Sequence, residues 1–180
     1  MKTLALSLAL ILFCGFSHAQ EDEFKVPRFV KQPIENTGCS AYFPNDVEMV
    51  FDLSYSPDSS EVYTGDFLSG NFHYSIILVQ LKDLVMATAE EKDDMLVSYL
   101  DYLQGTFSIV GSAGYGKGHT MESNPAAVGM IDYWEDDEGD QWSVKAWADG
   151  STMAVLFIYG ATEYPSYSAG QLFLDGFRFN

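Results

Sequence analysis

Two β-prone runs, Gln141–Ala148 and Thr152–Tyr159, meet at Asp149-Gly150, and this junction constrains the fold more than any other feature of the chain. Asp-Gly between such runs is a strong hairpin signal, because a type I′ turn needs positive φ at both central residues. Side chains alternate along a strand, so Trp142, Val144 and Ala146 share one face while Ser143, Lys145 and Trp147 share the other. A hairpin of this length is marginal alone and must be built into a larger sheet.

The flanking sequence supplies that sheet. Val47–Tyr55 reads as a strand because Val47, Met49, Phe51 and Leu53 alternate with Glu48, Val50, Asp52 and Ser54. Ser56–Ser60 is a turn cluster, and Glu61–Phe67 resumes β-type residues. Phe72–Leu81 is a third strand, whose apolar centre Ile76–Val79 predicts burial on both faces. Thr88 and Glu91 have capping-box spacing and open a helix carrying Met95, Leu96, Tyr99, Leu100 and Leu103, with Gly105 as its stop. Phe107–Ser112 and Ala127–Glu135 return to strands, and Pro165–Arg178 reads as a closing helix with Phe173, Leu174 and Phe177 toward the sheet. The order points to the α+β class, with a mostly antiparallel central sheet of about six to seven strands flanked by helices.

The chain has 180 residues, 47% of them apolar, which suits one folded domain. Its start has the form of an export signal. Lys2 is followed by the apolar run Leu4–Phe13, and Ser17 and Ala19 are the small residues of a cleavage site before Gln20. Residues 1–19 are thus expected to be removed, leaving a protein exported to the periplasm or the medium. Cys14 follows the apolar run, but Phe13 stands where a lipidation signal has a small residue, so lipid attachment is not expected. No later run approaches transmembrane length. Residues 20–39 read as an irregular arm and 40–180 as a single domain, with Cys39 a small buried hydrophobe.

The strand and helix order resembles the PsbP-like superfamily. The matching residues are Tyr42-Phe43-Pro44 before the first strand, the central helix, the Trp142–Tyr159 hairpin, and the closing FLDGFRF segment, Phe173–Phe179. The resemblance spans about residues 40–180 and implies a central antiparallel sheet sandwiched by helices. It implies little about activity, because members of that superfamily bind different partners and are not generally enzymes. Function has to be argued from sites rather than from fold.

Charge narrows the partners. Nine Lys and Arg stand against 26 Asp and Glu, a net charge of -17, which disfavours nucleic acid and anionic membrane surfaces. The leader carries Lys2 and no acid, so its removal leaves the remainder more acidic still. Protein, peptide or glycan partners stay open.

Three regions hold candidate site residues. Glu135–Asp140 is five-sixths carboxylate, and a weak Ca²⁺ site there would draw on Glu135, Asp137 and Asp140. EF-hand spacing is missing, so the segment also reads as a solvated acidic hairpin loop, and no other cofactor is expected. The glycine-rich segment Gly111–Thr120 approaches a phosphate loop, but Gly118 follows Lys117 where Ser or Thr would bind Mg²⁺. It reads better as a contact loop presenting Tyr115, Lys117 and His119. Trp134, Trp142 and Trp147 flank the acidic hairpin and, if exposed, would form an aromatic binding face; core packing is the alternative. His73 and His119 with nearby carboxylates are the candidates for a metal-dependent hydrolase, provided that the fold brings them together. No nucleophile-elbow motif accompanies any serine. The chain is therefore expected to be an exported binding or assembly module, with the hydrolase and a purely structural envelope protein as alternatives.

Overall fold

The computed structural model describes residues 28–45, 47, 49–160 and 167–179. The leader with Cys14, residue Glu48 and Pro165, the expected start of the closing helix, lie outside the described residues. The chain is α+β. Strands β1 (Phe29–Pro33) and β2 (Ser40–Pro44) form a small hairpin. Strands β3 (Asp52–Tyr55), β4 (Glu61–Ser69), β5 (Phe72–Gln80), β6 (Ile109–Ser112), β7 (Gly116–Met121), β8 (Asn124–Asp136), β9 (Gln141–Asp149) and β10 (Thr152–Gly160) form one eight-stranded sheet. Helix α1 (Ala89–Thr106) follows β5, and α2 (Tyr167–Leu174) follows β10. The sheet order is β3-β4-β5-β10-β9-β8-β6, with β7 also on β8, and each described strand pair is antiparallel. Among the described residues, no helix is long and apolar enough to cross a membrane.

The sheet has more strands than periodicity suggested, and its two faces are covered unequally. One face buries Met130, Trp134, Trp142, Val144, Val155 and Phe157 beneath α1. The other packs Tyr74, Ile76, Leu78, Trp147, Leu156 and Ile158 against Ala41 and Phe43 of β2 and Phe173 and Phe177 of the closing segment. A β-hairpin and a short helix thus cover the second face, which separates this architecture from a sheet sandwiched by helices alone. Residues 29–33, expected within an irregular arm, form β1 because Ile34, Ala41 and Phe43 are wholly buried and carry the hairpin into the core.

Local signals were kept where they matched this packing. Thr88 accepts from the Glu91 backbone N–H while the Glu91 carboxylate accepts from Thr88 N–H, the expected capping box. The helix continues through Gly105 to Thr106, and Ser108, at φ 54°, makes the turn instead. The β9–β10 loop is shifted by one residue from the expected turn. Asp149 pairs with Thr152, so Gly150 and Ser151 form the loop, and positive φ is needed at Gly150 alone, as in a II′ turn. The alternation over Val47–Phe51 records packing rather than pairing. Val47, Met49 and Phe51 lean on the core, while only Asp52–Tyr55 joins the sheet.

Lys92 is buried on α1 and donates to the Asp149 carboxylate at 2.7 Å and to the Ala126 carbonyl at 2.7 Å. Burial opposes ionisation of Asp149, but hydrogen bonds from Lys92 and Asn124 outweigh it and hold its pKa below the usual value. The start of α1 is thereby tied to the β9–β10 turn. On the opposite face, Trp147 lies flat against Gly129, where an added Cβ would sit 2.4 Å from the ring. Gly129→Ala is therefore expected to lower stability by about 1–3 kcal/mol through overpacking. Urea denaturation with an unchanged m-value measures it.

Candidate functional site

Helix α1 lies over β8 and β9. Beside it, the same face of the sheet is open and forms a groove of about 460 Å³ between β3–β5 and the end of α1. Its lining includes Ile77, Phe107, Trp142 and Tyr159, with Asp66 and Ser75 as polar groups. The aromatic rings form a row. His73 stacks on Tyr159 at 4.8 Å and 13°, Tyr159 on Trp142 at 3.9 Å and 8°, and Trp142 on Phe107 at 5.2 Å and 24°. Strand register builds the row, because His73 pairs with Tyr159 and Tyr159 pairs with Trp142 across three adjacent strands. Tyr159 and Trp142, the inner rings of the row, are each stacked on two neighbours.

Asp66 organises the polar side. The His73 Nδ1 lies 3.0 Å from its Oδ2, and the Ser75 hydroxyl donates to its Oδ1. A hydrolytic triad needs serine on histidine and histidine on carboxylate. Here serine and histidine both meet the carboxylate, so the hydroxyl donates to Asp66 and not to the imidazole that would have to activate it. The arrangement fixes side chains and presents a carboxylate.

At the outer side of the groove, β3 ends the sheet, and among the described residues no strand pairs with its free edge. Val50 is 76% exposed and Tyr55 63%, with Leu53 exposed between them. Unpaired backbone groups flanked by apolar side chains are what an incoming strand needs.

The sequence-derived candidates disperse. Trp134, Trp142 and Trp147 are 1%, 6% and 3% exposed, so they do not form an aromatic surface. Alternation sends Trp142 and Trp147 to opposite faces of the sheet, and both faces are covered. Of the three, only Trp142 lines the groove. His73 and His119 are not brought together either. They stand on β5 and β7, four strand steps apart in the sheet order, about 19 Å by ordinary strand spacing. They also lie on opposite faces, His73 with Tyr159 and His119 with Lys145. A shared metal is beyond their reach.

The glycine-rich segment is a break between two edge strands. β6 pairs with the end of β8 and β7 with its beginning, and Asp132 sits at the junction. Its carboxylate is buried and accepts from the Ser112 hydroxyl at 2.7 Å, the Gly114 N–H at 2.9 Å and the Trp134 indole at 2.7 Å. Tyr115 donates to Asp101 of α1, and burial followed by that hydrogen bond pushes its pKa up. Tyr115 thus anchors the segment to the helix, while Lys117 is exposed.

In the acidic hairpin, Asp136 closes the loop. It accepts from the Glu138 and Asp140 backbone N–H groups and, at 2.9 Å, from the Trp142 indole. Burial raises the Asp136 pKa, but these hydrogen bonds outweigh it and leave it lowered. Glu135 and Asp137 point to solvent, and among the described residues no three or more His, Cys, Asp or Glu gather as a metal site. Cys39 is a buried free thiol, its pKa pushed up to about 11 by burial against a weaker lowering by the Thr37 hydrogen bond.

Periodicity did not single out Asp66, Ser75 and Tyr159. Their signal was present as polar or amphipathic residues on strands that otherwise read as core. No protein-family model and no curated protein matches the chain.

Two measurements follow from this geometry. Asp132→Ala leaves the Trp134 indole N–H buried without a partner and is expected to cost about 1–3 kcal/mol in chemical denaturation. His119 has its pKa lowered, first by burial and then by the Lys145 charge, with Asp175 opposing. The unfolded chain therefore takes up the His119 proton first, so stability should fall as pH drops below the ordinary value of 6.5 toward the lowered one. Melting curves from pH 7.5 to 5, scaled by a His119→Gln control, should show this slope flattened in the variant (about pH 5–8 is where histidine titrates).

Proposed function

We propose that this protein is an exported, non-catalytic binding module of PsbP-like type, and that the groove beside β3 receives an extended peptide segment of a partner protein. The observation that carries this reading is the continuity of a strand edge, unpaired among the described residues, with an aromatic-lined, carboxylate-bearing groove. An incoming strand would take main-chain hydrogen bonds from the β3 edge and seat alternate side chains in the groove. Asp52 and Asp66 line that groove, and the chain carries a net charge of -17, so Lys or Arg side chains suit it best. Sugar recognition usually exploits open aromatic faces, whereas here the inner rings of the row are each stacked on two neighbours, which favours a peptide over a glycan.

The geometry around Asp66 supports binding over turnover, because Ser75 donates to the Asp66 carboxylate instead of to His73, and His73 is held by the same carboxylate. Export rests on the leader pattern of residues 1–19.

Fluorescence anisotropy with a labelled alternating Lys-Val peptide, and with its Glu-Val counterpart, tests the reading. The Lys-Val peptide should bind more tightly, and Tyr159→Ala or Asp66→Asn should weaken it about tenfold, equivalent to roughly 1.4 kcal/mol. Equal affinities unaffected by either variant would overturn the proposal. Saturable binding of an oligosaccharide at the same residues would replace the peptide with a glycan, and hydrolysis lost in His73→Ala would replace the module with an enzyme.

A further inference from the structure

On the face of the sheet opposite the groove, a second pocket of about 370 Å³ lies between β7, β9 and the segment that follows α2. Its walls include His119, Lys145, Trp147, Asp175 and Arg178, with exposed Glu122 at its rim. The C-terminal segment is held there by paired backbone hydrogen bonds between Arg178 and Ser40, of 3.0 and 2.8 Å.

Lys145 is 3% exposed and answered within the protein. Its Nζ lies 2.8 Å from the His119 Nδ1, 3.4 Å from an Asp175 carboxylate oxygen and 4.9 Å from the centre of the Trp147 ring. An ammonium has donors and no acceptor, so Nδ1 must accept. His119 is then neutral and carries its proton on Nε2. Asp175 balances Lys145, and among the described residues no hydrogen bond joins the Glu122 carboxylate at the rim to the remaining donors of the pocket. The Trp147 indole N–H is buried and has no hydrogen-bond partner among the described residues. Arg178 uses one nitrogen, Nη1, for the Asp175 and Phe177 carbonyls at 2.6 Å each. Its Nε and Nη2, and the His119 Nε2–H, have no partner among the described residues. A buried donor left unmade is costly, and an arginine fork suits a two-oxygen acceptor.

We infer that this pocket binds an oxyanion group, a carboxylate or a phosphate, through the Trp147 indole, the Arg178 guanidinium and the His119 imidazole. The site is independent of the groove, being on the other face of the sheet.

Imidazole NMR on the full chain tests it directly. His119 reports the pocket, and His73 is a control on the opposite face. The free protein should show His119 as the Nε2–H tautomer. Titration with acetate and, separately, with inorganic phosphate should move the His119 resonances saturably while His73 stays still. Whichever anion saturates at lower concentration identifies the group as carboxylate or phosphate. Arg178→Gln should weaken the effect about tenfold, the scale of one charge-assisted hydrogen bond. Trp147→Phe keeps an aromatic ring while removing the N–H along with part of the indole, so it should weaken binding with the His73 signal unchanged. Parallel, non-saturating drift of His119 and His73 would show ionic-strength effects alone, and saturation unchanged in both variants would show an anion bound without these side chains; either result overturns the assignment.

Discussion

The hairpin of β9 and β10 is dry on both faces, and the remaining layers are arranged around that fact. α1 closes one side over Val144, Ala146 and Val155, and the β1–β2 hairpin with the closing segment closes the other over Trp147, Leu156 and Ile158. A strand pair covered twice cannot send its polar groups to water. Its charged groups are matched by whatever lies above them, while the Trp147 indole N–H has no hydrogen-bond partner among the described residues. Asp149 is matched by Lys92 from α1, and Lys145 by His119 from β7 and Asp175 from the end of α2. These pairs connect distant parts of the chain, so the polar residues of the central hairpin also set how the outer layers dock.

Unequal coverage of the α1 face creates the candidate site. The helix is 18 residues long and lies over one half of an eight-stranded sheet. The uncovered half, next to β3, keeps a row of stacked rings at the boundary. Those rings belong to the core on one side and to the groove on the other. The groove therefore rests on rigid strands rather than on loops, which lowers the ordering cost of receiving a ligand. Two acids at its margin match the acidity of the whole chain and give the site a sign.

Much of the fold was legible. The helix with its capping box, the strands from Glu61 to Gln80, and the β9–β10 hairpin follow from local chemistry and periodicity, which act over a few residues. The β1–β2 hairpin was not legible, because its short strands alternate weakly and are held by burial of Ile34, Ala41 and Phe43 against elements far along the chain. The site was harder still. Trp134, Trp142 and Trp147 stood out as a cluster in sequence, yet alternation and two covering layers buried all three. The acidic run stood out by composition, yet its organising member is Asp136, turned inward onto backbone N–H groups and an indole.

The sequence by itself determined the capped helix, the strands from Glu61 to Gln80, the β9–β10 hairpin and how acidic the chain is. These depend on backbone sterics, side-chain periodicity and formal charge, all local quantities. Tertiary structure decided which side chains meet. Strand order separated His73 from His119, register stacked His73, Tyr159 and Trp142, the end of α1 added Phe107, and the closing segment enclosed Lys145 with Arg178. Such encounters depend on non-local pairing and on which face each layer covers, and no pattern within a short window of sequence encodes them.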